Sequence, residues 1–215
     1  MMSHIDNSKS GSIVLDLIKV IQDNKEYLSE IDGAIGDGDH GINMNKGFTI
    51  AGENLANTGA PLATSFKLLG NVLINEIGGS MGPLYGTLFR KMAVAIREHD
   101  SIEAKDFLKM LQNALSGIQQ LSDAKVGDKT LMDTLVPAVQ AFDTALGNEK
   151  TFTECLDSMS EAAEKGMRST EDLVAKIGRA SRLGERSRGV QDAGATSCCL
   201  LLQTLAKSTK ERLSD

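Results

Sequence analysis

Apolar residues return every three or four positions through eight successive stretches of this chain, and short polar or glycine-rich breaks separate them. That spacing places each set on one face of a helix. Val14, Leu17, Ile18 and Ile21 begin the first stretch, which persists to Leu28; Met44, Phe48, Ala51 and Leu55 form the second, ending at Asn57-Thr58-Gly59. Pro61 opens the third, through Leu62, Phe66, Leu69, Leu73 and Ile77, at a position where its missing N–H costs little. Leu84 to Ile96, Phe107 to Ile118, Leu131 to Leu146 and Phe152 to Ala163 follow, with Pro137 expected to kink the sixth helix. Leu200, Leu201 and Leu205 mark the eighth. No stretch alternates with period two, so no strand is expected, and residues 1–10 read as a loose polar terminus. The expectation is all-α: one domain over residues 1–215, an eight-helix antiparallel up-and-down barrel or bundle. Glycine-rich breaks follow the first, third, fifth and seventh helices. Alternate connections of such a bundle lie at one end, so these four loops are expected to meet at one rim.

Composition narrows the partners. A net charge of -6 and a pI near 5.2, with no basic run, argue against nucleic acid or an anionic membrane. Cys155, Cys198 and Cys199 have no metal-ligand spacing and fit a reducing cytoplasm. Asp16 and Lys19 interrupt the apolar run from Ile13 to Ile21, so no signal peptide is expected there, and no run is long enough to span a bilayer.

The first break holds the chemistry. Asp32, Asp37 and Asp39, with His40, sit among Gly33, Gly36, Gly38 and Gly41, whose backbones can aim several acidic oxygens at one point. Carboxylates so gathered repel one another unless a cation lies between them. Oxygen ligands select a hard cation; magnesium shares its remaining positions with waters and substrate phosphates, so a nucleotide is the natural second ligand. A polar Asx turn is the plainer alternative. A calcium EF-hand is not one, because a loop starting at Asp37 would need glutamate where Phe48 stands. The loop leads instead into a helix N-terminus, which attracts phosphate.

The other breaks are weaker alone. Gly78 to Gly86 lets backbone amides approach an anion, with Ser80 as a side-chain donor, although glycine pairs are commonly just turns. Asp128 or Thr130 reads first as a helix N-cap; otherwise Thr130 meets a phosphate oxygen while Leu131 and Met132 meet an adenine face. Between Gly178 and Gly194 lie Arg179, Arg182, Arg186 and Arg188, whose forks suit phosphate, in a chain otherwise acidic.

Taken in order, Ile35-Gly-Asp-Gly-Asp-His-Gly-Ile-Asn-Met44, Gly78-Gly-Ser-Met-Gly-Pro-Leu-Tyr-Gly86, Gly127-Asp-Lys-Thr130 and Gly178-Arg-Ala-Ser…Gln-Asp192 resemble the ADP-binding L subunits of bacterial dihydroxyacetone kinases. The resemblance spans essentially the whole chain. It implies an eight-helix barrel with ADP or ATP and two magnesium ions at one end, the ions held by Asp32, Asp37 and Asp39. By position, it assigns His40, Gly41, Ile42 and Asn43 to the phosphate side, and Ser80 and Met81 to the glycine loop. It gives Ser122 and Leu131 to the adenine pocket, and Arg179, Asp192, Ala193 and Gly194 to further nucleotide contacts. Such a subunit delivers the γ-phosphoryl group to dihydroxyacetone held covalently by a separate K subunit. A phosphohistidine-bearing M subunit rephosphorylates ADP where phosphoenolpyruvate is the donor; other members are fused to the K part and use ATP. The chain departs from the pattern at Met81, where serine is usual, at Ser122, where glycine is usual, and at Val190-Gln-Asp-Ala-Gly194, where His-Gln-Asp-Pro-Gly is usual. Alternatives are an ATP-dependent kinase subunit for another short ketose and a non-catalytic nucleotide sensor of the same fold. The sequence leaves the oligomeric state open, a homodimer included.

Overall fold

A computed structural model describes residues 3–214. Its nine α-helices are α1 (Ser12–Asp23), α2 (Lys25–Ile35), α3 (His40–Leu55), α4 (Leu62–Glu76), α5 (Met81–Ile96), α6 (Ala104–Gln119), α7 (Met132–Gly147), α8 (Phe152–Ser169) and α9 (Ala193–Lys210). From α3 onward each packs on the next in sequence; α9 returns to α1, and α1 lies against α3. Eight helices therefore close a ring, in line with the sequence, while α2 lies against α3 and α9.

The expected first helix is two. Asn24, at φ -107° and ψ 12°, leaves the helical region, and its side-chain amide donates to the Val20 carbonyl at 2.8 Å. The expectation of no strand also fails. His4–Asp6 (β1) pairs antiparallel with Ser101–Glu103 (β2), His4 opposite Glu103, so the terminus expected to be loose is ordered from residue 3; residues 1 and 2 lie outside the described residues. Ile5 is wholly buried there. Next to it, the buried Asn7 donates to the carbonyls of Ile96 at 2.9 Å and His99 at 2.7 Å, and accepts from the Ala63 amide at 3.0 Å. One side chain thus joins the end of α5 to the start of α4.

Inside the ring the core is aliphatic, with two aromatic clusters. Phe89 contacts both Phe48 and Phe66, and Phe107, Phe142 and Phe152 touch one another. Helix α7 continues through Pro137, which removes the bond that the Asp133 carbonyl would have accepted. Gly166 of α8 packs on that carbonyl: a Cβ at 166 would sit 2.1 Å from it, so only glycine permits this approach. No helix among the described residues is long and apolar enough to cross a membrane.

Candidate nucleotide and metal site

The loops after α2, α4, α6 and α8 meet at one end of the ring, as the alternation of breaks predicts, and enclose a cleft of about 510 Å³. That volume suits a small-molecule ligand.

Asp32 rides on the last turn of α2, and Asp37 and Asp39 on the loop to α3. One oxygen from each lies within 4.8 Å of the others. Gly38 makes this turn at φ 76°, and Gly41 brings α3 against α2, since a Cβ there would sit 1.9 Å from the Lys25 carbonyl. Opposite, the Arg179 guanidinium pairs with Asp37 and lies 3.8 Å from Asp39 Oδ2. Three hard oxygen donors at this spacing fit a magnesium ion that keeps waters and takes phosphate oxygens.

Four helix N-termini border the cleft, those of α3, α5, α7 and α9. They are not equivalent. On α9 the Asp192 carboxylate accepts the Ala195 amide at 2.7 Å, and beside α7 the Thr130 hydroxyl accepts the Met132 amide at 3.2 Å. Neither N-cap residue, Asp39 of α3 or Ser80 of α5, makes a side-chain cap bond, although the His40 amide that opens α3 lies 3.4 Å from Asp32 Oδ2. Their remaining first-turn amides, next to the carboxylates and the Gly78-Gly79 turn, are thus the ones open to an anion. Across the cleft, Leu84, Ile118, Leu131 and Met132 offer an apolar wall suited to a planar base.

His40 lines the cleft yet is only 7% exposed, and burial pulls its pKa down to about 4 against the pull of Asp32. It is neutral at neutral pH, so it offers a hydrogen bond rather than charge. Its Nε2 lies 2.9 Å from the Ser197 hydroxyl, which lies 2.6 Å from the Tyr85 hydroxyl; Tyr85 also donates to the Gly194 carbonyl at 3.0 Å. Burial pushes the Asp192 carboxyl up to about 7, with Asp133 and Asp32 adding to the effect and the Ala195 amide and Lys129 opposing it. An acid lining an anion site therefore carries less than a full charge at neutral pH.

Of the residues singled out from sequence, Asp32, Asp37, Asp39, His40, Asn43, Ser80, Met81, Ser122, Thr130, Leu131, Arg179, Asp192, Ala193 and Gly194 all line this cleft. Gly41 and Ile42 do not: Gly41 is buried against α2, and Ile42 is 54% exposed. Neither expected N-cap of the sixth helix holds that position, which falls to Leu131. Asp128 accepts from the Lys125 amide and pairs with Lys176. Sequence reasoning passed over Tyr85, Ser197, Lys129 and Asp133. Tyr85 and Lys129 stand inside two of the motifs quoted above, whereas nothing in the sequence sets Ser197 apart from the neighbouring Thr196.

Residues 34–207 match the model of the DAK2 domain. The chain belongs to the DAK2-domain family. Among its relatives, the ADP-binding subunit DhaL of the PEP-dependent dihydroxyacetone kinase of Escherichia coli is 37% identical over 89% of this chain and 92% of its own length. A counterpart from Listeria innocua is 33% identical over 96% of this chain and 97% of its own. The D-erythrulose kinase of Mycolicibacterium smegmatis is 31% identical, but this DAK2-family chain covers 33% of it. In three dimensions, the dihydroxyacetone kinase of C. freundii superimposes with a TM-score of 0.71 at 25% identity, over 93% of this chain and 34% of that one.

Proposed function

We propose that this chain binds ADP or ATP with two magnesium ions in the cleft and serves as the phosphoryl-transfer subunit of a dihydroxyacetone kinase. The observation that carries this reading is the set of three carboxylates beside two helix N-termini whose N-cap side chains leave the first-turn amides free. Asp32, Asp37 and Asp39 would hold the metal, whose chemistry is to neutralise phosphate charge and bridge phosphate oxygens. Amides at the starts of α3 and α5, with Asn43 and Ser80, would orient the phosphates, and neutral His40 would add a hydrogen bond without a charge. Arg179, already beside Asp37 and Asp39, lies within reach of anionic oxygens bound there. Leu131 and Met132 would take the base, Ser122 its edge. Phosphoryl transfer needs position and charge stabilisation rather than a protein nucleophile.

The acceptor would be held by a separate K subunit, and ADP would be rephosphorylated by a phosphohistidine-bearing M subunit. The names of full-length relatives support this division: those from Escherichia coli and Listeria innocua are subunits of PEP-dependent kinases, and one from Lactococcus lactis belongs to a PTS-dependent kinase. Exposed Ile42, Leu121 and Ile177, next in sequence to or among the lining residues, suit a mouth that a partner covers. A second acceptor has support, because relatives matched over 32–33% of their length are erythrulose kinases. The experiment is reconstitution with K- and M-type partners from the same source, phosphoenolpyruvate, magnesium and either ketose. Phosphorylated dihydroxyacetone is expected, and Asp37→Ala should lower turnover by about two orders of magnitude or more. Turnover of erythrulose alone would move the assignment to that ketose. No turnover with any donor would favour a nucleotide sensor.

A further inference from the structure

Lys129 borders the cleft but is given no nucleotide contact above, and it is the least expected side chain in the interior. Only 1% of it is exposed, and its backbone sits at φ 63°, a region that residues with side chains rarely adopt. A buried ammonium is costly unless each proton finds an acceptor. Here all three do: Nζ donates to the carbonyls of Thr170 at 2.6 Å, Leu173 at 3.1 Å and Val190 at 2.5 Å. Burial lowers its pKa, while Asp192, Glu171 and Asp133 favour the charge and Arg188 opposes it.

The position of these carbonyls along the chain gives them meaning. Thr170 and Leu173 lie where the chain leaves α8, and Val190 where it returns towards α9. The ammonium therefore ties together both ends of residues 174–189, where the Gly189 amide also reaches the Glu171 carbonyl at 2.8 Å and the Asp192 amide the Thr170 hydroxyl at 3.0 Å. It is presented from a fixed turn, because the buried Asp133 carboxylate accepts the amides of Gly127 at 2.5 Å and Thr130 at 2.7 Å. The closed segment holds two short 3-10 turns within Ala180–Ser187, parted at Gly184 (φ 55°), and, just before them, Arg179 beside Asp37 and Asp39. Its further ties to the rest of the chain are Lys176 to Asp128, through both the side chain and the backbone amide, Arg188 to the Asp172 carbonyl, and contact with α2.

We propose that Lys129 is a positioning residue: by clamping both ends of the 174–189 segment it sets Arg179 against the carboxylate loop and so completes the nucleotide cleft. The clamp itself stands on geometry alone; its effect on nucleotide rests on the function proposed above. With the clamp removed, the segment opens part of the time, and affinity falls in proportion to the closed fraction.

Two variants, Lys129→Met and Lys129→Gln, test this through three readouts. Far-UV circular dichroism should match the wild type. Limited trypsin digestion should cut at Arg179, Arg182, Arg186 or Arg188 about tenfold faster than in the wild type, with cleavage confined to that segment. Calorimetry with ADP and magnesium should show about tenfold weaker binding, and adding Arg179→Ala to Lys129→Met should weaken it little further than Arg179→Ala alone. Unchanged trypsin sensitivity would overturn the clamp. So would collapse of the helical signal in both variants, which would make Lys129 a support of the whole ring. Faster cleavage with unchanged ADP affinity would overturn its link to the site. Failure of the wild type to bind ADP would instead sink the proposed function, and the digestion would still judge the clamp.

Discussion

At the scale of single residues, burial governs chemistry more than residue type does. His40 and Lys129 are ordinarily charged or half-charged groups, and each is satisfied inside by oxygen partners, a hydroxyl for one and three carbonyls for the other. The cysteines illustrate the converse. Cys198 and Cys199 are buried side by side on α9; burial pushes the Cys199 thiol up to about 12 and the Cys198 thiol well above its ordinary value. Thiolate, the reactive form, is therefore scarce at pH 8, and access is closed as well. The native protein should react with a thiol reagent at pH 8 at least about a hundredfold more slowly than in denaturant. Rapid labelling of two thiols before unfolding would contradict the burial described. The residues invisible in sequence share this trait. Nothing in a lysine's identity foretells its burial, since lysine is almost always solvated unless paired. The convergence of Asp32, Asp37 and Asp39 was legible because four glycines in one short loop let their oxygens approach one another.

At the scale of elements, periodicity found the helices and missed what interrupts or escapes it. The apolar face from Val14 to Leu28 runs straight across Asn24, so spacing alone could not see the break that a local side-chain bond makes. Strand β1 is three residues long with only Ile5 buried, too short to alternate. The convergence of four loops was legible because helix count and parity decide which connections share an end. Contacts between helices were not, since they depend on which backbone atoms face a neighbour. Gly166 is the clearest case: it fits the carbonyl left free by Pro137. Gly166→Ala places a methyl 2.1 Å from that oxygen and should cost about 1–3 kcal/mol by forcing α7 and α8 apart. Urea unfolding measures it; a neutral result would mean that the two helices separate freely.

At the scale of the whole molecule, the two ends of the ring divide the work. One end is tied by β1, β2 and the buried Asn7; the other carries the cleft. Asn7→Ala leaves the His99 carbonyl and the Ala63 amide unpartnered, while the Ile96 carbonyl keeps the His99 amide, and should cost about 2 kcal/mol, read as a lower urea midpoint with unchanged slope. Because that end is remote from the carboxylates, ADP affinity of the folded variant should match the wild type within about twofold. A larger change would show that the two ends are coupled.

The central claim is that Asp32, Asp37 and Asp39 converge to join a divalent cation to a nucleotide. Isothermal titration of the wild type and Asp39→Asn with ADP, with magnesium and with chelator, addresses it most directly. Binding that needs magnesium in the wild type, and that weakens about a hundredfold or more in Asp39→Asn, is the predicted result. Equal affinity with and without magnesium, or an undiminished Asp39→Asn, would contradict it.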